Sequence, residues 1–192
     1  DNMIKDAGKI ARKTMEVFKG AGVFGIEMFI DQDDEILINE IAPRVHNSGH
    51  HTLQSCKTSQ FEQHLRAILG LELGSTELVH KTVMCNILGP DGFEGKYKII
   101  RIISGIYELD DLDPDDYRIY EYDKLSHITS SVSEIFGGKY DIYLKMYGKK
   151  VSKLQRKLGH FNVVDLKDEN DVSELLRIVD EQKNRTLITP LD

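Results

Sequence analysis

The sequence of 192 residues contains no tryptophan, four prolines and two cysteines. Cys56 and Cys85 have neither the spacing of a metal site nor that of a redox pair, so we expect free thiols. No apolar run approaches the roughly 18 residues of a membrane-spanning helix and no signal peptide is recognisable, which predicts a cytoplasmic protein without a membrane partner. A net charge of −7 argues against nucleic acid as a partner, so any phosphate site must be a local basic patch.

The remaining composition, 40% hydrophobic and 30% charged, suffices for one or two globular domains. Apolar residues at three- and four-residue steps predict helices over residues 4–18, 51–56, 59–69 and 170–182, with Ser59 and Glu62 as a capping box and Asp168 or Asn170 as the last cap. Runs rich in β-branched residues predict strands over residues 23–30, 35–41, 79–88, 140–147 and 163–166. We interpret residues 71–77 as a linker, 108–116 as a solvated acidic loop and 130–136 as another short element.

Residues 23–41 predict a β-hairpin, because two apolar strands flank a turn, residues 31–34, that has no apolar member. If the strands pair symmetrically about this turn, Glu27 lies opposite Ile38. Glu27 and Glu40 then lie diagonally on one face, about 7–8 Å apart, and their side-chain tips can converge.

Two carboxylates inside apolar strands repel each other and lose hydration unless a cation lies between them. Mg²⁺ prefers such oxygen ligands and is usually held by one or two carboxylates together with substrate phosphates. The hairpin therefore predicts a platform for a metal and a nucleotide. A simpler alternative is that both glutamates face solvent on the open side of a sheet.

A loop dense in polar side chains follows the hairpin and leaves it from the carboxylate end. Its donors and acceptors exceed what a turn requires, and they are Asn39, Arg44, His46, Asn47, Ser48 and His50. The histidines at 46, 50 and 51 also raise the possibility of zinc. A zinc site needs three or four converging nitrogen or sulfur ligands, and no cysteine pair joins them here, so zinc is disfavoured.

Residues 147–162 form a second candidate site, because five lysine and arginine residues and His160 stand there in an acidic protein. Arginine forks and lysine point charges suit a phosphate monoester. A solvated basic loop is the alternative that the charge pattern alone favours.

The phrases NEIAPRVHNSGH and TSQFEQHLRAILGLELGSTEL resemble the PurK family of ATP-grasp ligases, the N5-carboxyaminoimidazole ribonucleotide synthases. The resemblance is close over about residues 7–90, and residues 147–162 are similar to a second family phrase, YGKExRxGRKxGHxN. It implies an α+β fold in which residues 1–75 form the C-terminal part of an ATP-grasp domain, an antiparallel sheet with packed helices. Residues 76–192 would form a small β-rich C-terminal domain. The family's N-terminal substrate domain and ATP lid are absent, so we expect a fragment of a longer enzyme.

The resemblance also implies roles for individual residues. Glu27 and Glu40 would bind Mg²⁺, with Mn²⁺ as an alternative, and Asn39 would orient polar groups beside the nucleotide. Arg44 and His46 would lie where bicarbonate or carboxyphosphate is held, with Asn47 assisting at the metal or the phosphates.

In the basic segment, the resemblance implies that Lys149, Arg156 and Lys157 hold the 5′-phosphate of a ribonucleotide. Ser152 stands where the family usually has arginine, and Leu154-Gln155 replaces a glycine. Lys153 is the candidate substitute for the missing arginine.

The implied activity is the ATP-dependent carboxylation of 5-aminoimidazole ribonucleotide with bicarbonate, through carboxyphosphate, by a homodimeric enzyme. Two alternatives stay open. One is a formate-dependent glycinamide ribonucleotide transformylase, whose loop has Asp-Thr-Gly where Asn47-Ser48-Gly49 stands here. The other is an inactive ATP-grasp fragment that acts as a binding module.

Overall fold

The structure is a computed structural model that describes residues 2–101, 139–167 and 171–190. The chain divides into two units, Asp1–Leu78 and Val79–Asp192. The boundary predicted from the sequence, between residues 75 and 76, lies close to this division. The predicted acidic loop at 108–116 and the predicted element at 130–136 lie outside the described residues.

The first unit combines helices with one hairpin. Its helices are α1 (Asn2–Met15), α2 (Thr52–Ser55) and α3 (Gln60–Ile68), its strands are β1 (Gly25–Ile30) and β2 (Ile36–Ala42), and a 3₁₀ turn spans Asn47–Gly49. Helix α1 ends before residue 18 because the chain tightens there, with Val17 N donating to Thr14 O. The predicted cap of α3 is confirmed, since the Ser59 hydroxyl accepts from Glu62 N at 3.3 Å.

Residues 71–78 fold back onto the first unit, so the prediction of a linker was wrong. Lys57 N donates to Glu77 O at 2.9 Å, next to an isolated bridge between Cys56 and Leu78. The Gln63 amide closes a pair of hydrogen bonds on the Gly74 backbone, at 2.6 Å to its carbonyl and 3.0 Å from its N–H. These bonds satisfy backbone groups that a free linker would leave to water.

The second unit is built around a central strand. Its elements are β3 (Thr82–Leu88), β4 (Tyr97–Arg101), β5 (Tyr140–Met146), β6 (Lys157–Asp165), α4 (Val172–Arg185) and β7 (Leu187–Pro190). Strand β6 lies between β3 and β5, and β4 pairs with β7. The core joins these strands to α4 through Ile87, Tyr140, Ile142, Met146, Leu158, Phe161, Val163, Leu175, Ile178 and Val179. Every strand pair among the described residues is antiparallel, which confirms the predicted α+β class.

Several boundaries in this unit differ from the prediction, and the largest difference is at β6. Strand β6 begins at Lys157 and not at residue 163. The prediction missed its first half because basic and glycine residues there interrupt the apolar pattern of a strand that is otherwise buried. Asp171 caps α4, with its carboxylate accepting from Ser173 N at 3.3 Å. The predicted caps Asp168 and Asn170 lie outside the described residues. None of the helices in the described ranges has the length and apolar character that a membrane crossing requires.

Candidate active site

The hairpin places Glu27 directly opposite Glu40, and not diagonally as predicted. The turn is one residue longer than assumed, so Ile30 pairs with Ile36. Asp31 closes it, with its carboxylate accepting from Glu35 N at 2.9 Å. A bulge then shifts the register between Glu27 and Met28. The predicted register was therefore wrong.

The bulge decides which face carries the second carboxylate. Met28 pairs with Ile38 and Glu27 pairs with Glu40, so Asn39 is the extra residue of β2. In an unbroken ladder Glu27 would lie opposite Asn39, and Glu40 would lie on the other face of the hairpin. With the bulge, both carboxylates lie on one face, and the Asn39 amide donates to Glu27 Oε2 at 3.2 Å.

Both carboxylates converge on the imidazole of His46. The Nε2 atom of His46 lies 3.4 Å from Glu27 Oε1 and 3.5 Å from Glu40 Oε1. The His46 side chain is only 11% exposed, whereas the side chains of Glu27 and Glu40 are 43% and 51% exposed. The arrangement is a buried imidazole beneath two carboxylates that remain open to a ligand.

Two residues outside the predicted set hold His46 in place. Gly25 lies against its ring, since a Cβ atom there would be 2.6 Å from His46 Cβ. The buried Gln60 side chain bonds to both His46 backbone groups, at 2.9 Å from N and 2.8 Å from O. Gly25 opens a strand of bulky residues, which signals a close approach. Gln60 stood inside the capping-box motif, where it carries no separate signal.

The other predicted residues of the loop have different surroundings. Arg44 is exposed, and its Nη1 donates to the neighbouring Val45 carbonyl at 2.9 Å. Asn47 opens the 3₁₀ turn, and its carbonyl accepts from His50 N at 3.1 Å. Ser48 Oγ lies 2.8 Å from His46 Nδ1, so it is the polar contact of the second ring nitrogen. Burial lowers the pKa of His51, which favours its neutral form near pH 7.

The donor set suits a cation that arrives with phosphate. Within the part of the chain that the structure describes, no three or more His, Cys, Asp or Glu side chains are grouped so as to hold a metal ion. Glu27 and Glu40 offer two carboxylates on one open face, which is the protein's usual share of a Mg²⁺ shell that phosphates and water complete.

The basic segment belongs to the second unit and is part loop and part strand. Lys149 is exposed after Gly148, whose φ is 63°. Arg156 is half-buried and its Nη1 donates to the Val151 carbonyl at 3.2 Å, while Lys157 is exposed at the start of β6. Two flanking bonds fix the loop, from Gly89 N to the Arg156 carbonyl and from Gln155 N to the Gly89 carbonyl. The three predicted phosphate ligands thus lie within one short segment, which hydrogen bonds to Gly89 hold in place.

Two other residues that matched the family phrase are interior residues. His160 and Asn162 are buried in β6. The Nδ1 atom of His160 lies 2.8 Å from the Tyr147 hydroxyl, a contact that joins the two ends of the segment.

The two units match two known families. The ATP-grasp domain family matches residues 1–61, and the family of phosphoribosylaminoimidazole carboxylase C-terminal domains matches residues 82–174. The N5-carboxyaminoimidazole ribonucleotide synthase of Aquifex aeolicus is 38% identical over 175 residues, which is 91% of this chain and 38% of the relative. The chain belongs to the PurK family of ATP-grasp proteins.

Solved structures of PurK proteins agree in fold. The crystal structure of N5-carboxyaminoimidazole ribonucleotide synthetase from Thermotoga maritima has a TM-score of 0.69 and 39% identity, and it covers 97% of this chain and 42% of that one. The synthase from Aspergillus clavatus, solved in complex with ADP and 5-aminoimidazole ribonucleotide, has a TM-score of 0.59 and 32% identity, with 94% and 41% coverage. Against eight curated PurK and carboxylase relatives, the chain spans from 16% to 38% of their length.

Proposed function

We propose that this chain supplies part of an ATP-grasp ligase that carboxylates 5-aminoimidazole ribonucleotide in purine biosynthesis. Bicarbonate would attack the γ-phosphoryl group of ATP to give carboxyphosphate and ADP. The amine of the ribonucleotide would then take up the carboxyl group, with release of phosphate. The observation that carries the proposal is the opposed pair Glu27 and Glu40 above His46, within the phrase NEIAPRVHNSGH. The relatives named for this reaction support it.

Glu27 and Glu40 would hold the Mg²⁺ ion, with Mn²⁺ as the alternative. When bound, such an ion neutralises charge that develops on the ATP phosphates. Asn39 orients Glu27 through its amide. The buried His46 contacts both carboxylates through Nε2 and thereby holds them on one face. We assign Arg44 to the bicarbonate or carboxyphosphate oxyanion, because a guanidinium offers paired donors to a planar anion. Asn47, at the start of the 3₁₀ turn, would assist at the phosphates. A closed site is needed, since water would otherwise consume carboxyphosphate.

The basic segment would bind the 5′-phosphate of the ribonucleotide through Lys149, Arg156 and Lys157. We expect Lys149→Ala and Arg156→Ala to raise the KM for the ribonucleotide about 10–100-fold each. A hydrogen bond to a charged group is worth about 1.5–3 kcal/mol, and about 1.4 kcal/mol is tenfold in affinity. The KM for ATP should not change. Initial rates of ADP release at varied ribonucleotide concentration measure both constants.

The control for this prediction is Lys167→Ala, which removes an exposed lysine beyond the end of β6. It tests whether loss of positive charge anywhere on the unit is enough. An increase in ribonucleotide KM equal to that of Arg156→Ala would contradict a specific phosphate site.

The reaction itself is tested by ADP release from Mg-ATP in the full-length protein, with the 192-residue chain assayed in parallel. We expect stimulation by bicarbonate plus 5-aminoimidazole ribonucleotide, and none by formate plus glycinamide ribonucleotide. Stimulation by the formate pair would favour the transformylase. Silence of the full-length protein with both pairs would favour the binding module. The homodimer and the cytoplasmic location expected from the sequence belong to this proposal, and gel filtration with light scattering tests the first.

A further inference from the structure

The side chain of Gln60 is hydrogen-bonded to the loop that carries His46. It is 8% exposed at the first residue of α3. Its Oε1 accepts from His46 N at 2.9 Å, and its Nε2 donates to His46 O at 2.8 Å. A backbone N–H can only donate and a carbonyl can only accept, so these two bonds fix which end of the amide is oxygen and which is nitrogen.

The same amide reaches a second histidine. Gln60 Nε2 lies 2.9 Å from His50 Nδ1. An NH₂ group has two N–H donors and no acceptor, and one of them already serves the His46 carbonyl. His50 Nδ1 must therefore accept the other, so it carries no proton. The imidazole of His50 is then neutral, with its proton on Nε2.

The loop is shaped to receive this amide. At Gly49 a Cβ atom would lie 2.5 Å from Gln60 Oε1, so a side chain at that position would collide with the Gln60 amide. Thr52 Oγ1 accepts from Gln60 N at 2.9 Å and donates to Gly49 O at 2.6 Å, which ties the start of α3 to the same turn. The His50 ring also stacks on Phe61, with ring centroids 5.3 Å apart.

We propose that Gln60 is a positioning residue of the carboxylate site. Through one buried amide it fixes the backbone of His46 beneath Glu27 and Glu40 and holds His50 in the tautomer protonated at Nε2. The catalytic consequence rests on the proposed function, whereas the tautomer of His50 does not depend on it.

Gln63, three residues further along α3, provides a matched control. Its amide closes the same kind of paired bond, on the backbone of Gly74 instead of His46. Gln63→Glu therefore makes the same chemical change in the same helix, away from the two histidines. A purely structural role for Gln60 predicts that Gln60→Glu and Gln63→Glu behave alike.

The test combines ¹⁵N NMR of the histidine side chains with kinetics, both on the full-length protein. The His50 ring signals are assigned by their loss in His50→Asn. We expect an unprotonated Nδ1 in the wild type and in Gln63→Glu. In Gln60→Glu the amide donor becomes a carboxylate oxygen, so His50 Nδ1 should acquire a proton. The same variant should raise the Mg²⁺ concentration for half-maximal ADP release about 10-fold, the lower end of the effect of losing a direct partner of a metal ligand. Gln60 acts on Glu27 and Glu40 only through His46. The KM for the ribonucleotide should not move.

Several outcomes would overturn the inference. A protonated Nδ1 at His50 in the wild type would do so without any variant, even if Gln60→Glu fails to fold. An unprotonated Nδ1 in a folded Gln60→Glu, or equal Mg²⁺ shifts in Gln60→Glu and Gln63→Glu, would also do so. If the full-length protein releases no ADP with either substrate pair, the proposed function fails while the NMR result still decides the tautomer.

Discussion

Glu40→Gln is expected to lower ATP turnover at limiting Mg²⁺ by about 100-fold or more. The substitution keeps the size of the side chain and removes one of the two charges that face each other across the hairpin. A bound cation supplies several kcal/mol of charge stabilisation, and about 1.4 kcal/mol is tenfold in rate. ADP release by the full-length protein, followed against Mg²⁺ concentration, measures the effect. High Mg²⁺ should restore part of the rate.

The same change should leave folding intact, which separates chemistry from stability. The Glu40 side chain is half exposed, and exposed substitutions usually alter the free energy of unfolding by less than about 0.5 kcal/mol. The control is Glu35→Gln, which removes an exposed carboxylate at the end of the same turn. It should retain wild-type turnover. Unaltered turnover of Glu40→Gln at limiting Mg²⁺ would remove Glu40 from the metal site.

Gly25→Ala is expected to reduce both stability and activity. The added Cβ atom would lie 2.6 Å from His46 Cβ and 2.8 Å from its Cγ, closer than carbon atoms approach. Either β1 or His46 must shift, and overpacking of this kind costs about 1–3 kcal/mol. Because His46 contacts both carboxylates, a displacement near 1 Å should lower turnover about 100-fold. Urea unfolding and ADP release measure the two effects.

Gly20→Ala provides the comparison for the glycine substitution. Gly20 precedes the hairpin, and a Cβ atom there meets nothing within 4 Å. This variant should be unchanged or more stable by up to about 1 kcal/mol, because alanine restricts the unfolded chain. If Gly25→Ala matched Gly20→Ala in stability and turnover, the close contact between Gly25 and His46 would not be needed for the site.

The hairpin and its two carboxylates were predictable from the sequence, but their register was not. Apolar runs on either side of a polar turn indicate a hairpin whatever its register. The turn closes through the carboxylate of Asp31, and the bulge at Asn39 depends on how β2 bends. Neither leaves a pattern in hydrophobicity. The longer turn and the bulge each shift the register by one residue in the same direction. The total shift of two residues keeps Glu27 and Glu40 on one face, for a reason different from the one predicted.

The residues that hold His46 in place were harder to predict from the sequence than the hairpin. Gln60 looked like the second residue of a helix cap, and its function emerges only when α3 lies against the His46 loop. His160 and Asn162 match the end of the family phrase and precede the strand that was predicted at residues 163–166. They lie within the central strand β6. The prediction missed this part of the strand because burial on both faces removes the alternation of apolar and polar residues that normally reveals a strand.

The bulge at Asn39 makes the facing of Glu40 depend on one extra residue of β2. Counted from the turn, Asn39 would be the partner of Glu27, and only the bulge brings Glu40 to the same face. A deletion of Asn39 would leave Glu40 directly opposite Glu27 in an unbroken ladder, at the cost of the amide that donates to Glu27. A one-residue gap at this point of an alignment is therefore compatible with an intact pair of carboxylates. One further residue between Ile38 and Glu40, with the bulge kept at one residue, would instead turn Glu40 to the opposite face.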